Sequence, residues 1–299
     1  MSNWIYFVLI AQFIWAFTSV IDKIVISKGY IKSPLVYIVL NGLMNIFLIF
    51  LLPFVGFEPL KLIDFLVALF AGIALSAAVT IYYKAVQYDE ISKIKMIDQI
   101  GPIFVLILSF LFLGEILTKN HFIGFLFLIS AGLVVSYKKV KNSFKLSKAF
   151  YYMLISTFLA ALYYVSSKHI FSVAGFWSAF LWLRLTSFSA LFVLFVPSIR
   201  KQFAETFKGM KSKVKGLLSF KMLIDFSAFI FSGYAILYGP ISLVTALNNS
   251  INPLFVFMIT LFTSVYIPNL IREDIDKRAI LTKVLAIALI IAGIVFVNL

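Results

Sequence analysis

The sequence predicts an all-α polytopic membrane protein with ten transmembrane helices, arranged as two inverted five-helix repeats. Three observations predict it. The 299 residues are 63% hydrophobic and 13% charged, with 34 Phe and a mean hydropathy of +1.06, whereas soluble domains lie near one half apolar and one quarter charged. Apolar segments of roughly 17 to 25 residues, long enough to cross a hydrocarbon core about 30 Å thick as helices, recur along the whole chain. The second half also repeats the first: "AVQYDEIS" at 85–92 lies over "AILYGPIS" at 235–242, "DQIGPIFV" at 98–105 over "NSINPLFV" at 249–256, and "AGLVV" at 131–135 over "AGIVF" at 292–296. Residues 1–137 and 149–299 are thus two five-span units joined by a Lys-rich linker, 138–148. Because five is odd, the second unit enters the bilayer from the opposite side, an arrangement typical of secondary transporters.

The first span, 4–26, begins with no basic residue ahead of it and runs too long for a signal-peptide core, so it is expected to stay in the mature protein. It places Trp15 at depth, and Asp22 and Lys23 close it as interfacial residues. Span two, 34–54, carries Asn41 and Asn45 on one face, as substrate ligands or as interhelical hydrogen bonds. In span three, 62–83, Gly72, Ser76 and Thr80 form a small-residue face that packs tightly or leaves room for substrate, and Tyr82 and Tyr83 follow it. Span four, 91–113, contains Asp98 and, one turn later, Pro102. Alone, Asp98 could be a first-turn acid favoured by the helix dipole. Its counterpart Asn249 lies well inside the apolar run 241–267, however, which puts Asp98 at depth, where an acid costs several kcal/mol unless it meets a partner or water. Span five, 120–137, lacks deep polar residues.

Span six, 149–171, ends with Lys168 at the place of Lys23. Span seven, 176–197, holds Arg184 about eight residues in. A guanidinium does not lose its charge, so it needs water, an acid or an anionic substrate group. It either recognises a carboxylate or phosphate or pairs structurally with Asp98 or a helix-end carbonyl. Trp4 and Trp177 fit an interfacial belt, and Trp182 and Tyr234 lie deeper. Span eight, 217–238, has Lys221 and Asp225 at ion-pair spacing. Span nine, 241–267, carries Asn248, Asn249 and Asn252 before Pro253, which frees a backbone carbonyl and kinks the helix as Pro102 does in span four. Span ten, 279–298, is again without deep polar groups.

A net charge of +14 raises the question of nucleic acid, and the placement of the cations answers it. The connections after odd-numbered spans hold 19 of the 26 Lys and Arg, among them Lys138, Lys139, Lys141, Arg200, Lys201 and Lys208, while the opposite connections hold Lys61 and Lys119. This is the positive-inside signature of a multi-pass protein of the cell's inner (plasma) membrane, with both termini outside the cytoplasm. The loop "RKQFAETFKGMKSKVKG" can touch anionic lipid. No cysteine is present, His121 and His169 stand alone, and neither HExxH nor GxSxG occurs, so the sequence indicates no metal, no cofactor and no intramembrane enzyme.

The stretch 82–136, "YYKAVQYDEISKIKMIDQIGPIFVLILSFLFLGEILTKNHFIGFLFLISAGLVVS", resembles the second part of the EamA repeat of the drug/metabolite transporter superfamily. It has a Tyr-Ala pairing at the end of one helix, small and polar residues opening the next, then Pro, Leu-Gly-Glu, Ile-Gly and Ala-Gly. Trp15 with Lys23 is similar to the opening of that repeat. The second half keeps Pro253 and Ala292-Gly293 but inserts residues before "IREDIDKR", which blurs any equivalence of Glu115 with Glu273. The resemblance implies ten helices, inverted repeats and carrier-type transport of amino acids, other small metabolites or drugs, often as export. Family members are commonly drawn with their termini inside, opposite to the loop charges here.

The expected mechanism is alternating access, with spans one to four and six to nine around a central cavity and spans five and ten outside. Asp98, Arg184, Asn41, Asn248, Asn249, Asn252, Tyr83 and Trp15 are the expected substrate contacts, and Pro102 and Pro253 the kinks. An acid and a cation in one cavity suit a zwitterion such as an amino acid. Asp98 or Asp22 is the candidate carrier of a coupling proton, with substrate exchange as the other energy source. The partners are a small-molecule substrate and the lipid bilayer, in a monomer or dimer. A lipid-head-group flippase or a nucleotide-sugar or phosphate exchanger would share the architecture.

Overall fold

Lipid offers no partner to backbone N–H and C=O groups, so a chain this apolar crosses a membrane only with its hydrogen bonds closed inside helices or a sealed barrel. The computed structural model describes residues 2–27, 34–44, 48, 52–88, 91–136, 148–266 and 277–299, and all regular structure among them is helical. In chain order the helices are α1 (Asn3–Ser27), α2 (Pro34–Met44), α3 (Leu62–Tyr88), α4 (Ile91–Asp98), α5 (Gly101–Leu113), α6 (Lys119–Ser136), α7 (Lys148–Val173), α8 (Phe176–Thr186), α9 (Pro197–Gly209), α10 (Ser212–Tyr238), α11 (Ile241–Tyr266) and α12 (Lys277–Asn298). A 3-10 segment, Ser187–Phe195, continues α8.

Nine spans among the described residues are long and apolar enough to cross a membrane. The second predicted span is described only in part, chiefly as α2, and Asn45 lies outside the described residues, as does linker 138–147. The Ser2 backbone N–H donates to Asn298 Oδ1 at 2.8 Å, so residues near the two ends meet at one face. An even number of crossings satisfies that, and α2 lies where the tenth begins.

The segment 198–216, read from sequence as a loop, is largely helical instead. Pro197 sits in the first turn of α9, where its missing N–H costs nothing. Ile199 and Phe203 are half-buried while Arg200, Lys201 and Lys208 are exposed, which makes α9 an amphipathic surface helix rather than a span.

Packing is reciprocal between the halves. α1 lies on α10 and α11, and α7, the corresponding first helix of the second half, lies on α3 and α5. α6 pairs with α12, where Gly124 and Gly293 let the backbones meet: a Cβ on Gly124 would lie 2.9 Å from the Gly293 carbonyl oxygen. Gly72 and Ser76 of the small-residue face are packing positions. A Cβ on Gly72 would collide with the Thr186 carbonyl, and Ser189 Oγ donates to the Gly72 carbonyl at 3.1 Å while contacting Ser76 Oγ at 2.8 Å. α3 is thus pressed against the junction at which α8 becomes the 3-10 segment.

The crossing of α4/α5 with α11 follows from two prolines. Pro102 has no N–H for the carbonyl of residue 98, and the fourth span breaks into α4 and α5 between Asp98 and Gly101. Asn249 Nδ2 donates to that Asp98 carbonyl at 3.2 Å. Pro253 likewise has no N–H for the carbonyl of residue 249, yet α11 runs unbroken through it. Gln99 Nε2, from the first half, reaches this Asn249 carbonyl at 3.4 Å. Each carbonyl orphaned by a proline is therefore met by a side-chain amide from the other half, and Gln99 fits because Gly132 of α6 leaves room for it.

Gly72→Leu is expected to lower stability at the upper end of the roughly 1–3 kcal/mol typical of overpacking, because the obstacle is backbone, and thermal melting in detergent measures it. In a double-mutant cycle, Asn249→Leu should cost less in a Pro102→Ala background, where an alanine N–H closes the Asp98 carbonyl within the helix. The expected coupling is about 0.6 to 1.7 kcal/mol, and equal costs in both backgrounds would show that Asn249 does not serve that carbonyl.

Candidate functional site

α1 and α11 meet through amides. Gln12 Nε2 donates to Asn248 Oδ1 at 2.8 Å, and Asn252 Nδ2 donates to Gln12 Oε1 at 2.9 Å. The i, i+4 spacing of Asn248 and Asn252 places both on one face of α11, within reach of one glutamine. The chain runs Asn252 to Gln12 to Asn248 and ends on Asn248 Nδ2, a buried donor without a hydrogen-bond partner among the described residues. A directed chain of this kind needs an acceptor at its end, whether water or ligand.

One turn along α1 from Gln12, Trp15 packs edge-on to Phe229 of α10, with ring centroids 5.2 Å apart. On Phe229 lies Arg184, its guanidinium carbon 4.1 Å from the ring centroid. The Arg184 side chain is buried, donates Nη2–H to the Tyr163 hydroxyl, and forms no ion pair among the described residues. Neither alternative pairing of a structural Arg184, with Asp98 or with a helix-end carbonyl, occurs among the described residues. Instead Arg184, Tyr163 and Phe229 line a cavity with Ser232, Gly233 and Phe180, large enough for about one water molecule. A cation held on an aromatic ring and one phenol keeps most of its donors for another group.

Phe229 joins Arg184 to Trp15, which lies one turn of α1 from the Gln12 that binds Asn248 and Asn252. Asn249 lies beside them on α11 and serves the crossing. The Asp98 carboxylate is half-buried and pairs with Lys95, three residues earlier in α4, at 3.4 Å. Tyr83 lies further toward the basic face, within electrostatic reach of Asp22, Tyr82 and Lys95. The side chains of Asn41 and Lys23 lie outside the described residues.

Several groups have partners the sequence did not supply. Asp22 is joined to Lys221 at 3.4 Å, in addition to the Lys221–Asp225 pair expected from their spacing, which closes at 2.8 Å; the second Asp225 oxygen is buried without a hydrogen-bond partner among the described residues. His169 does not stand alone: its Nε2 is 2.9 Å from Asp64 Oδ1. Trp182 donates to the Glu58 carbonyl at 3.0 Å and packs at a tilt on Phe57, at the face that carries residues 2 and 298. Gln12, Gln99, Tyr163 and Phe229 are the residues that sequence reasoning missed. The usable signal was an isolated amide at depth, since such an amide must find a partner.

Comparison with known proteins places this geometry. One solved structure, described only as a "Crystal structure of protein", is 14% identical over 98% of this chain and 96% of its own, with a TM-score of 0.66, a likeness of fold. No curated protein matches the chain. Residues 2–137 match the model of the EamA-like transporter family. The first half of the chain is thus similar to the EamA-like transporter family.

Proposed function

We propose that this multi-pass membrane protein is a secondary transporter that carries small metabolites bearing a carboxylate or phosphate group by alternating access. The observation that carries this reading is Arg184, a buried cation with no acid partner among the described residues, facing a small cavity enclosed by α7, α8 and α10 of the second half. A permanent charge in lipid is retained only where something compensates it, and an arriving anion does so. Arg184 takes the anionic group, and Asn248, with its unfilled donor, takes a neighbouring acceptor. Phe229 and Trp15 shape the apolar side, while Asn41 and Tyr83 complete the path.

The carboxylate of an amino acid fits this role, and so does a phosphate. Asp98 already meets Lys95, so an amino group on the cargo would compete with that lysine. Asp98 and Asp22 remain the proposed carriers of a coupling proton. The reciprocal packing of α1 and α7 supports two inverted units, 1–137 and 149–299, that rock about the proline crossing. Export is proposed from the family resemblance alone.

Purified protein in liposomes tests the reading with radiolabelled amino acids, dicarboxylates and sugar phosphates, plus a short-chain fluorescent phospholipid to detect head-group flipping. Uptake of at least one soluble anion is expected. Arg184→Ala should lower its kcat/KM by about 10- to 100-fold, the effect of losing a hydrogen bond to a charged group, and Arg184→Lys should recover part of the loss. Unchanged transport of every anion in Arg184→Ala would remove Arg184 from recognition, and translocation of the phospholipid alone would make the protein a flippase.

A further inference from the structure

The turn between α10 and α11 lies at the face where residues 2 and 298 meet, and three elements hold it. Glu115, in the connection between α5 and α6, reaches across to the second half. Its Oε2 accepts the Ile241 N–H at 2.8 Å, and its Oε1 accepts the Ser242 N–H at 3.2 Å and the Ser242 hydroxyl. These are first-turn N–H groups of α11, which no helical carbonyl satisfies and which favour an anion. Gly114 makes the reach: it ends α5 at φ 65°, a left-handed conformation that suits glycine, and turns the chain so that its neighbour faces α11.

From the other side, Lys168 of α7 donates Nζ to the carbonyls of Ile236, Leu237 and Gly239 at 2.8, 2.8 and 3.0 Å. Those are the last carbonyls of α10, where a cation is favoured. Trp4 of α1 covers the turn so closely that a Cβ on Gly239 would lie 2.8 Å from its ring. An acid thus holds the start of one helix and a lysine the end of the preceding one, and the acid comes from the opposite half of the molecule.

The halves are also unequal here. α11 lies along α6, whereas α5, the counterpart of α11, has no comparable packing on α12 among the described residues. α11 carries Asn248, Asn249 and Asn252, so any movement that exposes the polar centre at this face has to part α11 from Glu115.

We propose that Glu115 and Lys168 are positioning residues of the transport cycle: together they latch the α10–α11 turn and hold this face shut, and releasing them admits the polar centre to it. The inference rests on the alternating-access reading. Neither residue touches the cargo; both act through the turn.

The chain has no cysteine, so Ser232→Cys, which lines the Arg184 cavity, supplies a sole thiol. Its rate of labelling by a membrane-impermeant maleimide is measured from each face of oriented vesicles, with melting temperature alongside. Adding Glu115→Gln is expected to raise the rate from the face bearing residues 2 and 298 by about tenfold and to lower it from the other face. Lys168→Met should act in the same direction. A rise from both faces with a fall in melting temperature, or no change in either rate, would make the pair ordinary helix caps and overturn the latch alone. A Ser232→Cys thiol that reacts from neither face, in any background, would overturn the latch and the alternating-access reading together.

Discussion

Two backbone carbonyls, those of Asp98 and Asn249, are the constraint around which the structure is arranged. In water, a proline inside a helix leaves a carbonyl that solvent can satisfy. In lipid the same carbonyl must find a protein donor or water held in a cavity. Asn249 donates to the Asp98 carbonyl and Gln99 to the Asn249 carbonyl, so the weak point of each half is completed by the other. The crossing keeps two bundles in register while leaving each helix short of one internal bond. A joint of this kind can flex without exposing an unpaired group to hydrocarbon, because the pairing is between side chain and backbone and moves with either partner.

Charge is distributed around this joint by a consistent rule. Toward the basic face, Lys221 sits between Asp22 and Asp225, and Lys95 meets Asp98. At the other face, Asp64 meets His169, Glu115 takes the start of α11, and Lys168 takes the end of α10. Arg184 departs from the rule: its partners among the described residues are a neutral hydroxyl and an aromatic face. Where the neighbouring ionisable groups meet an opposite charge or a helix end, a cation left to a phenol and a phenylalanine is the place to which the proposed transport reading assigns compensation from outside the chain.

The spans were legible because lipid imposes a length and a hydropathy that a single sequence displays. The juxtaposition of Asp98 with Asn249 was legible because the internal repeat put both residues at one depth. Gln12 and Gln99 were not, since their partners lie 236 and 150 residues away. Lys168 was read as an interfacial residue, the default for a lysine at a helix end, because the carbonyls it serves belong to a turn about 70 residues later. From sequence, helix α9 reads as a loop, although Pro197 and the Ile199, Phe203 spacing signal an amphipathic start. There the density of basic residues masked a helical period. The change of α8 into a 3-10 segment has no local sequence cause; it coincides with the contact between Gly72 and Thr186, a tertiary feature.

That change of coil carries a length. A 3-10 helix advances about 2.0 Å per residue and an α-helix about 1.5 Å, so the nine residues Ser187–Phe195 are roughly 4.5 Å longer than they would be as a continuation of α8. With the far end of the segment fixed by α9 at the membrane surface, rewinding it would draw the guanidinium of Arg184 along the bilayer normal by most of one helical pitch. The depth of a single charge is thereby tied to the winding of the strut beneath it.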